Sequence, residues 1–345
     1  MNQKIKERIG YLIELGAALR SSHELEAVIS RTASINPFFT VEFSRMAIDA
    51  IIDEMLNEQK LTEWLSHYEI PDNEPTQIIG IIMAGNIPLV GFHDFLCAYV
   101  LGFPVRIKLS GKDDILFTFV FDKLCKIDNE LSNQSRIVDK LEGYAAVIAT
   151  GSNNSHRYFE YYFRDHPKVL RKNRNSIAIL TGEETSEELD ALADDIFMYF
   201  GFGCRNVSKI YVPQDYDVTI LFPHFEKYKW MFGHSKYMNN YDYNRTLLLM
   251  NKTPHMANEI LMMQENEAIA SPVSLLYYER YKDIEVLKDQ LVKNEDNIQC
   301  VVGQHIPNGL GMNSIVGFGQ SQKPGLSDYA DGVDTVMFLL SLKTT

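Results

Sequence analysis

No stretch of about 18 uncharged apolar residues occurs in the 345-residue chain, so no membrane-spanning helix is expected. The N-terminus lacks the apolar core of a secretory signal. Met1 to Arg20 carries charges throughout, and Ile5, Ile9, Leu12 and Ile13 fall at helical spacing. Cysteine is scarce: Cys97, Cys125, Cys204 and Cys300 are widely scattered with no C-x-x-C pair. That argues against a disulfide framework or a zinc site and points to a reducing, cytoplasmic compartment. Positive charge is in deficit, with 33 Lys and Arg against 46 Asp and Glu, a net charge of -13. Without a basic patch, nucleic acid is not an expected partner. A phosphate-bearing cofactor stays open, because local amides and a few lysines are enough to bind it. The nine histidines form no ligand cluster, so no metal is expected. A dinucleotide fingerprint is missing too, since Gly309-Leu310-Gly311 has no third glycine and no helix following it. Internal repeats and low-complexity tracts are absent.

What remains is an ordinary globular composition, 46% apolar and 23% charged, long enough for two domains. Residues 1–65 read as helical up to Leu65, and Pro71-Asp72-Asn73-Glu74-Pro75 breaks the chain. Strand and helix patterns then alternate. Strands are expected at Gln77–Ala84, Pro104–Leu109, Tyr144–Ala149, Ile177–Leu180 and Ser208–Val212. Helices are expected at Val90–Leu101, Ile115–Ile127 and His156–Phe163. This rhythm implies an α/β, doubly wound architecture. Thr185–Phe200 is the strongest helix: Thr185 and Glu188 form a capping box, and Leu189, Leu192, Ala193, Ile196, Phe197 and Phe200 make one apolar face. Gly201 and Gly203 are expected to end it. Further strands are expected at Thr246–Met250, Val273–Tyr278 and Gln299–Val302, then loop from Pro307 to Asp334. The apolar run Thr335–Leu342 reads as a last strand that buries both faces.

Cys204 stands in Gly201-Phe202-Gly203-Cys204, between that helix and a strand. Glycines there allow a substrate to come close, and a thiolate is a good nucleophile. The other reading of a lone cysteine is a buried structural one, which suits Cys97 in an apolar helix and Cys300 in a strand. Cys125, near two lysines, reads as a helix-boundary residue.

Three ordered segments resemble the aldehyde dehydrogenase superfamily. Its nucleophile motif G-Q-x-C, with a basic residue five positions on, is similar to Gly201-Phe202-Gly203-Cys204 and Lys209, with Phe202 in place of the glutamine and Lys209 in place of the usual arginine. Its P-W-N-F-P-L stretch and later K-P-S strand are matched by Gly85-Asn86-Ile87-Pro88-Leu89 and by Lys108-Leu109-Ser110. Its F-T-G-S turn is matched by Ala149-Thr150-Gly151-Ser152. The resemblance implies that Cys204 is the covalent nucleophile, and that Asn86 and the Cys204 N–H hold the developing oxyanion. It implies that Lys108 and Ser110 hold the adenosine ribose or its phosphate, and that Thr150, Gly151 and Ser152 cradle the pyrophosphate. Glu267, in Glu267-Ala268-Ile269-Ala270-Ser271-Pro272-Val273, resembles the nicotinamide-ribose glutamate of E-x-F-G-P-V, one residue out of register. Gly317-Phe318-Gly319-Gln320-Ser321 resembles the late P-F-G-G loop. Read without the family, Asn86 is a turn residue, Lys108 a solvated strand-end lysine, Ser152 a helix N-cap and Glu267 a solvated acid.

One departure carries meaning. Where aldehyde dehydrogenases have E-L-G-G, whose glutamate activates the deacylating water, this chain has Leu170-Arg171-Lys172-Asn173-Arg174-Asn175-Ser176. Loss of that base suits a reductase better than a hydrolysing dehydrogenase. With the Cys204–Val212 neighbourhood and Ile177-Ala178-Ile179-Leu180, the pattern resembles the acyl-CoA reductases of the bacterial luminescence (LuxC) family. That resemblance implies reduction of a fatty acyl thioester, acyl-CoA or a relative, to the aldehyde with NADPH or NADH. Alternatives are a CoA-acylating aldehyde dehydrogenase and a non-catalytic oligomeric partner. His156 and His234 are proton-donor candidates, and the aromatics of Tyr228–Tyr243 are either an acyl-tunnel lining or core. The expected domains are an NAD(P)-binding domain at 1–176 with a return at 307–330 and a catalytic domain at 177–306. An oligomerisation strand at 331–345 is expected to build a homodimer.

Overall fold

The computed structural model describes residues 2–304 and 315–342, with only the backbone of Asn153. The Gly309-Leu310-Gly311 stretch lies outside the described residues. The chain divides into two compact units, one running to Asn173 and resuming at Lys323, the other spanning Arg174–Gln322. The described part of the expected 307–330 return therefore divides, with 315–322 in the second unit and 323–330 in the first.

The first unit opens with four helices, α1 (Gln3–Arg20), α2 (His23–Ile35), α3 (Val41–Met55) and α4 (Glu58–Ser66). Each starts at a side-chain N-cap: Asn2, Ser22, Thr40 and Asn57 accept from the helix's first amides. Then follow β1 (Ile79–Ile82), α5 (Phe92–Val100), β2 (Val105–Lys108), α6 (Ile115–Ile127), α7 (Asn129–Gln134), β3 (Arg136–Ile137), β4 (Ala146–Thr150), α8 (Asn153–Tyr162) and β5 (Lys168–Arg171). The five strands form one parallel sheet in the order β3-β2-β1-β4-β5. Ile79, Ile81, Val105, Ile107 and Ala146 to Ala149 are all but inaccessible, as strands covered on both faces require.

The second unit contains β6 (Asn175–Ile179), α9 (Ser186–Phe197), β7 (Val207–Pro213), α10 (Ser235–Met250), β8 (Met256–Ala257), β9 (Met262–Glu265), β10 (Leu275–Tyr281), α11 (Ile284–Lys293), β11 (Ile298–Val302) and β12 (Ile315–Val316). Its sheet has the order β12-β11-β6-β7-β10-β9-β8, parallel except for the β8–β9 pair. The ladder is irregular on both sides of Ser176: register shifts between Ile298 and Val301 in β11, and across Ser176 and Ile177 against β7.

Three expectations are corrected. Thr335–Leu342 is not a strand. Thr335–Leu340 forms a helix, α12, in the first unit, with the Asp334 carboxylate accepting from Met337 N at 2.8 Å. Thr335, Val336 and Leu339 are fully buried, so one helical face absorbs the run that a strand would have buried on two. Thr246–Met250 is the last turn of α10; leucine and methionine are strong helix formers, and only Thr246 there is β-branched. Finally, α9 has the expected capping box but ends at Phe197, ahead of Gly201. The chain turns left-handed at Tyr199 and Phe200, with φ of 53° and 57°, before Gly201 at 76°.

Candidate active site

In the first sheet β1 is flanked by β2 and β4, and the strand order reverses between β1 and β4. Such a switch point opens a crevice at the carboxyl ends of the strands, where parallel α/β sheets take their ligands. Register places Ile82 beside Lys108 on one side and beside Ala149 on the other. Thus Asn86 after β1, Lys108 and Ser110 at the end of β2, and Thr150, Gly151 and Ser152 at the end of β4 leave the sheet along one edge. The turns are tightly packed: a Cβ on Gly85 would lie 2.7 Å from Ser110 Oγ, and one on Gly151 would lie 2.9 Å from Phe159 and Ser155. Lys108 and Ser152 are exposed, and Asn86, Ser110 and Thr150 are half-buried. Ser152 also caps α8, its hydroxyl accepting from Ser155 N at 3.3 Å. An exposed amine, hydroxyls and the amides of a helix start are a donor set that fits phosphate and ribose oxygens.

The β1 loop is shaped by a carboxyl group that sequence reading missed. Asp113, just ahead of α6, is buried and accepts from Leu89 N at 2.7 Å. Leu89 has a left-handed φ of 56°, a conformation unfavourable for leucine that this bond helps to hold. Burial pushes the Asp113 acid up to about 8, against the pull of the Leu89 amide.

In the second unit, Cys204 is half-buried in the turn between α9 and β7. Asn206 builds that turn. Its Oδ1 accepts from Gly203 N at 2.8 Å, and its Nδ2 donates to the carbonyls of Asp195, Ile196 and Met198 at 3.1, 3.4 and 2.9 Å. One side chain therefore closes the C-terminal end of α9 and fixes the backbone ahead of the cysteine. Asn206 N donates to Gly203 O at 3.1 Å, and Ser176 Oγ donates to Cys204 O at 3.1 Å. Both peptide planes flanking Cys204 are thus held.

Two neighbouring segments are pinned to the same region. Asp195 on α9 is fully buried and accepts from Gly319 N and Ser321 N at 2.6 and 3.0 Å, while Arg205 Nε donates to Ser321 O at 2.6 Å. The 317–321 loop is thereby tied to residues on either side of the cysteine turn. Burial pushes the Asp195 acid up to about 6, opposed by its bonds from Ser321 and Gly319. The Glu267 segment is held by β7: Ser208 Oγ donates to Ile269 O at 2.7 Å and Lys209 Nζ to Glu267 O at 2.8 Å. A register shift at Ser208 lets two consecutive side chains reach one loop. Lys209 is fully buried, pairs with Glu279 and lies 4.7 Å from the centre of the Tyr211 ring. Burial pulls its amine below the usual lysine range.

Of the eight residues singled out by sequence, six share the carboxyl edge of the first sheet, and Cys204 and Glu267 belong to the second unit. Glu267 is exposed and contributes its carbonyl to Lys209. The basic segment has become structural. Arg171 is buried against Asp94 at 2.6 Å, and Arg174 donates to the carbonyls of Glu295 and Ile298. His156 is buried with Glu160 at 3.1 Å from Nε2. His234 caps α10 through Tyr237 N at 3.1 Å and packs 4.5 Å from the Phe200 ring. Of the aromatics from Tyr228 to Tyr243, three belong to the core, where Tyr228 OH donates to Asp194, Tyr237 OH to Ile260 O and Tyr241 OH to Asn258 O, while Trp230, Phe232 and Tyr243 are exposed. Ser176, Asp195 and Asn206 gave weak signals at best; an acid in the last turn of a helix, against the macrodipole, was the clearest.

No protein-family profile and no curated protein sequence matches the chain. Solved structures do. An indole-3-acetaldehyde dehydrogenase mutant of P. syringae, in complex with NAD+ and IAA, superposes with a TM-score of 0.64 at 11% identity, covering 92% of this chain and 76% of that one. The glyceraldehyde-3-phosphate dehydrogenase of Methanocaldococcus jannaschii, complexed with NADP, gives 0.63 at 13% identity, with 93% and 82% covered. Aldehyde dehydrogenase 21 of Physcomitrella patens, complexed with succinate, gives 0.67 at 11%, with 96% and 79% covered. The fold is that of the aldehyde dehydrogenases.

Proposed function

We propose that the chain is an NAD(P)H-dependent acyl-CoA reductase acting on a fatty acyl thioester, with the first unit binding the cofactor and the second carrying the nucleophile. The observation that carries the reading is the half-buried Cys204, held by Asn206 and Ser176 on the two peptide planes beside it. Preorganisation of this kind suits a covalent nucleophile.

The Cys204 thiolate attacks the thioester carbonyl carbon, forming a new C–S bond. The bond to CoA breaks, and CoA leaves as a thiolate that takes up a proton. The Cys204 N–H and the Asn86 side chain stabilise the oxyanion of each tetrahedral species. A reduced nicotinamide, when bound, would supply the hydride that takes the acyl carbon to the aldehyde level and would itself be oxidised. The Cys204–carbon bond then breaks, the carbonyl reforms and aldehyde departs. Lys108 and Ser110 would hold the adenosine end of the cofactor and Thr150, Gly151 and Ser152 its pyrophosphate, with Glu267 the candidate for its nicotinamide ribose. The segment 170–176 holds no carboxylate, and its Arg171 is buried against Asp94, so this stretch offers no base to drive hydrolysis of the acyl-enzyme.

The test is a screen of acyl-CoA chain lengths with NADPH and NADH, read by cofactor oxidation and aldehyde formation. Cys204→Ser is expected to abolish turnover while cofactor affinity stays nearly unchanged. Intact mass should show an acyl adduct on Cys204 when cofactor is withheld. An adduct on Cys97 or Cys300, or turnover by Cys204→Ser, would refute the assignment. Product formation only from short aldehydes with CoA would favour the reverse, acylating direction. A homodimer stays part of the proposal without a C-terminal strand to build it; sedimentation as a folded monomer at micromolar concentration would remove it.

A further inference from the structure

We infer that Ser176 is a positioning residue for Cys204, fixing its carbonyl by a hydroxyl that the two ladder irregularities beside it leave available. This rests on the reading of Cys204 as the nucleophile. A serine hydroxyl has one proton and two acceptor lone pairs. The Ser176 proton goes to Cys204 O at 3.1 Å. Its oxygen accepts from Cys300 N at 3.2 Å and lies 3.0 Å from Cys300 Sγ. With the hydroxyl proton committed to the Cys204 carbonyl, the Cys300 thiol must be the donor in that last contact. All three bonding positions of the hydroxyl are then filled, so its orientation is fixed.

The sheet explains why the hydroxyl can do this. The step from Ile298 to Val301 in β11 is three residues, against the two from Asn175 to Ile177 in β6. The extra residue takes Cys300 out of the regular ladder beside Ser176, and its N–H turns to the serine oxygen. On the other side, Val207 and Lys209 pair with the consecutive residues Ser176 and Ile177. Bulges of this sort re-aim side chains. Ser176 is completely buried and its own N–H donates to Asn206 O at 3.1 Å, so it is joined to the cysteine turn by main chain and side chain alike. Fixing Cys204 O fixes the Cys204–Arg205 peptide plane and with it the direction of the Cα–Cβ bond that carries the sulfur. A displacement of about 1 Å at a reacting atom can cost on the order of 100-fold in rate.

The experiment compares wild type, Ser176→Ala, Ser176→Thr and Cys300→Ala by the rate of acyl-adduct formation on Cys204 from an acyl-CoA, without cofactor. Two controls accompany it: thermal unfolding, and the pH profile of Cys204 alkylation by iodoacetamide. Ser176→Ala should slow acylation by about 10-fold or more, with the alkylation pH midpoint unmoved and folding retained. Ser176→Thr, which keeps the hydroxyl, should restore most of the rate, and Cys300→Ala, which loses the thiol donor but keeps the Cys300 N–H, should slow acylation less than Ser176→Ala. If Ser176→Ala fails to fold, Ser176→Cys replaces it, and its weaker S–H donor should give an intermediate rate. Acylation of the folded variant at the wild-type rate, or a loss that Ser176→Thr does not restore, overturns the inference alone. Failure of every thioester to acylate the wild-type chain overturns the reading of Cys204 as well.

Discussion

The Asn206 side chain makes four hydrogen bonds, all to main chain, and three go to carbonyls, two in the last turn of α9 and one just beyond it at Met198. Asn206 is buried, and so are its partners Gly203, Asp195, Ile196 and Met198. Asn206→Ala should therefore destabilise the chain by about 1–3 kcal/mol, the cost of buried groups left unsatisfied, read by urea unfolding. It should also slow acylation of Cys204, since Gly203 N loses its acceptor. Asn86→Ala should lower turnover by roughly 100-fold, as loss of an oxyanion donor does. Cys204, Asn86 and Lys108 could be singled out from sequence as candidates because each sits in a contiguous run at the end of a strand or helix. Ser176 and Asn206 could not, since their roles depend on which carbonyls the fold brings to them. Asp113 is a third such residue, and its acid raised to about 8 makes it testable. Between the ordinary value of 3.8 and about 8 the folded chain keeps a proton that the unfolded chain has released, so this group's contribution to stability falls as pH rises through that window. Asp113→Asn removes the titration. Melting temperatures at about pH 5 and about pH 9 should fall less for the variant than for wild type; equal falls would show that the carboxyl ionises in place without cost.

Elements declared themselves where a local device and a long-range face agree. The Thr185–Glu188 capping box is present in full, and Leu189, Leu192, Ala193, Ile196 and Phe197 are all buried. Thr185→Ala should cost about 1 kcal/mol in urea unfolding and leave Cys204 acylation untouched, because the cap lies at the far end of α9 from the cysteine turn. The end of α9 differs from the one its glycines suggest, for a physical reason. Glycine at 201 suggested the stop, yet the Asn206 amide takes the terminal carbonyls and the left-handed turn begins at Tyr199 and Phe200, whose side chains are buried. Short apolar runs were the other weak point. Thr335–Leu342 has no period that separates a two-faced strand from a helix with one buried face. The deciding residue is Asp334, which caps α12 and also accepts from Tyr68 OH at 2.8 Å, a contact remote in sequence.

At the scale of the whole molecule, the first unit is made from two stretches of chain far apart in sequence, one ending at Asn173 and the other starting at Lys323. Apolar packing joins them, for Leu326, Val336 and Leu339 enter the same core as α1 and α5. Polar contacts fix how they meet. Trp64 Nε1 donates to Tyr329 OH at 2.8 Å, and His93 Nε2 lies 2.9 Å from Leu326 O. Arg171 is the centre of this seam: it pairs with Asp94 at 2.6 Å and donates to Thr335 Oγ1 at 2.7 Å and to the Ala330 carbonyl. Arg171 is only 3% exposed and Asp94 7%, so neither charge can be rescued by solvent. Removing one partner should therefore cost more than the pair itself contributes. Arg171→Leu is expected to destabilise the chain by about 3–5 kcal/mol by leaving Asp94 buried and uncompensated. The double variant Arg171→Leu with Asp94→Leu should recover much of that loss, since an apolar pair of similar volume needs no desolvation of charge. A urea double-mutant cycle measures the coupling. Single losses that simply add in the double variant would mean that Arg171 acts through Ala330 and Thr335 alone, and that the ion pair with Asp94 does not hold the seam.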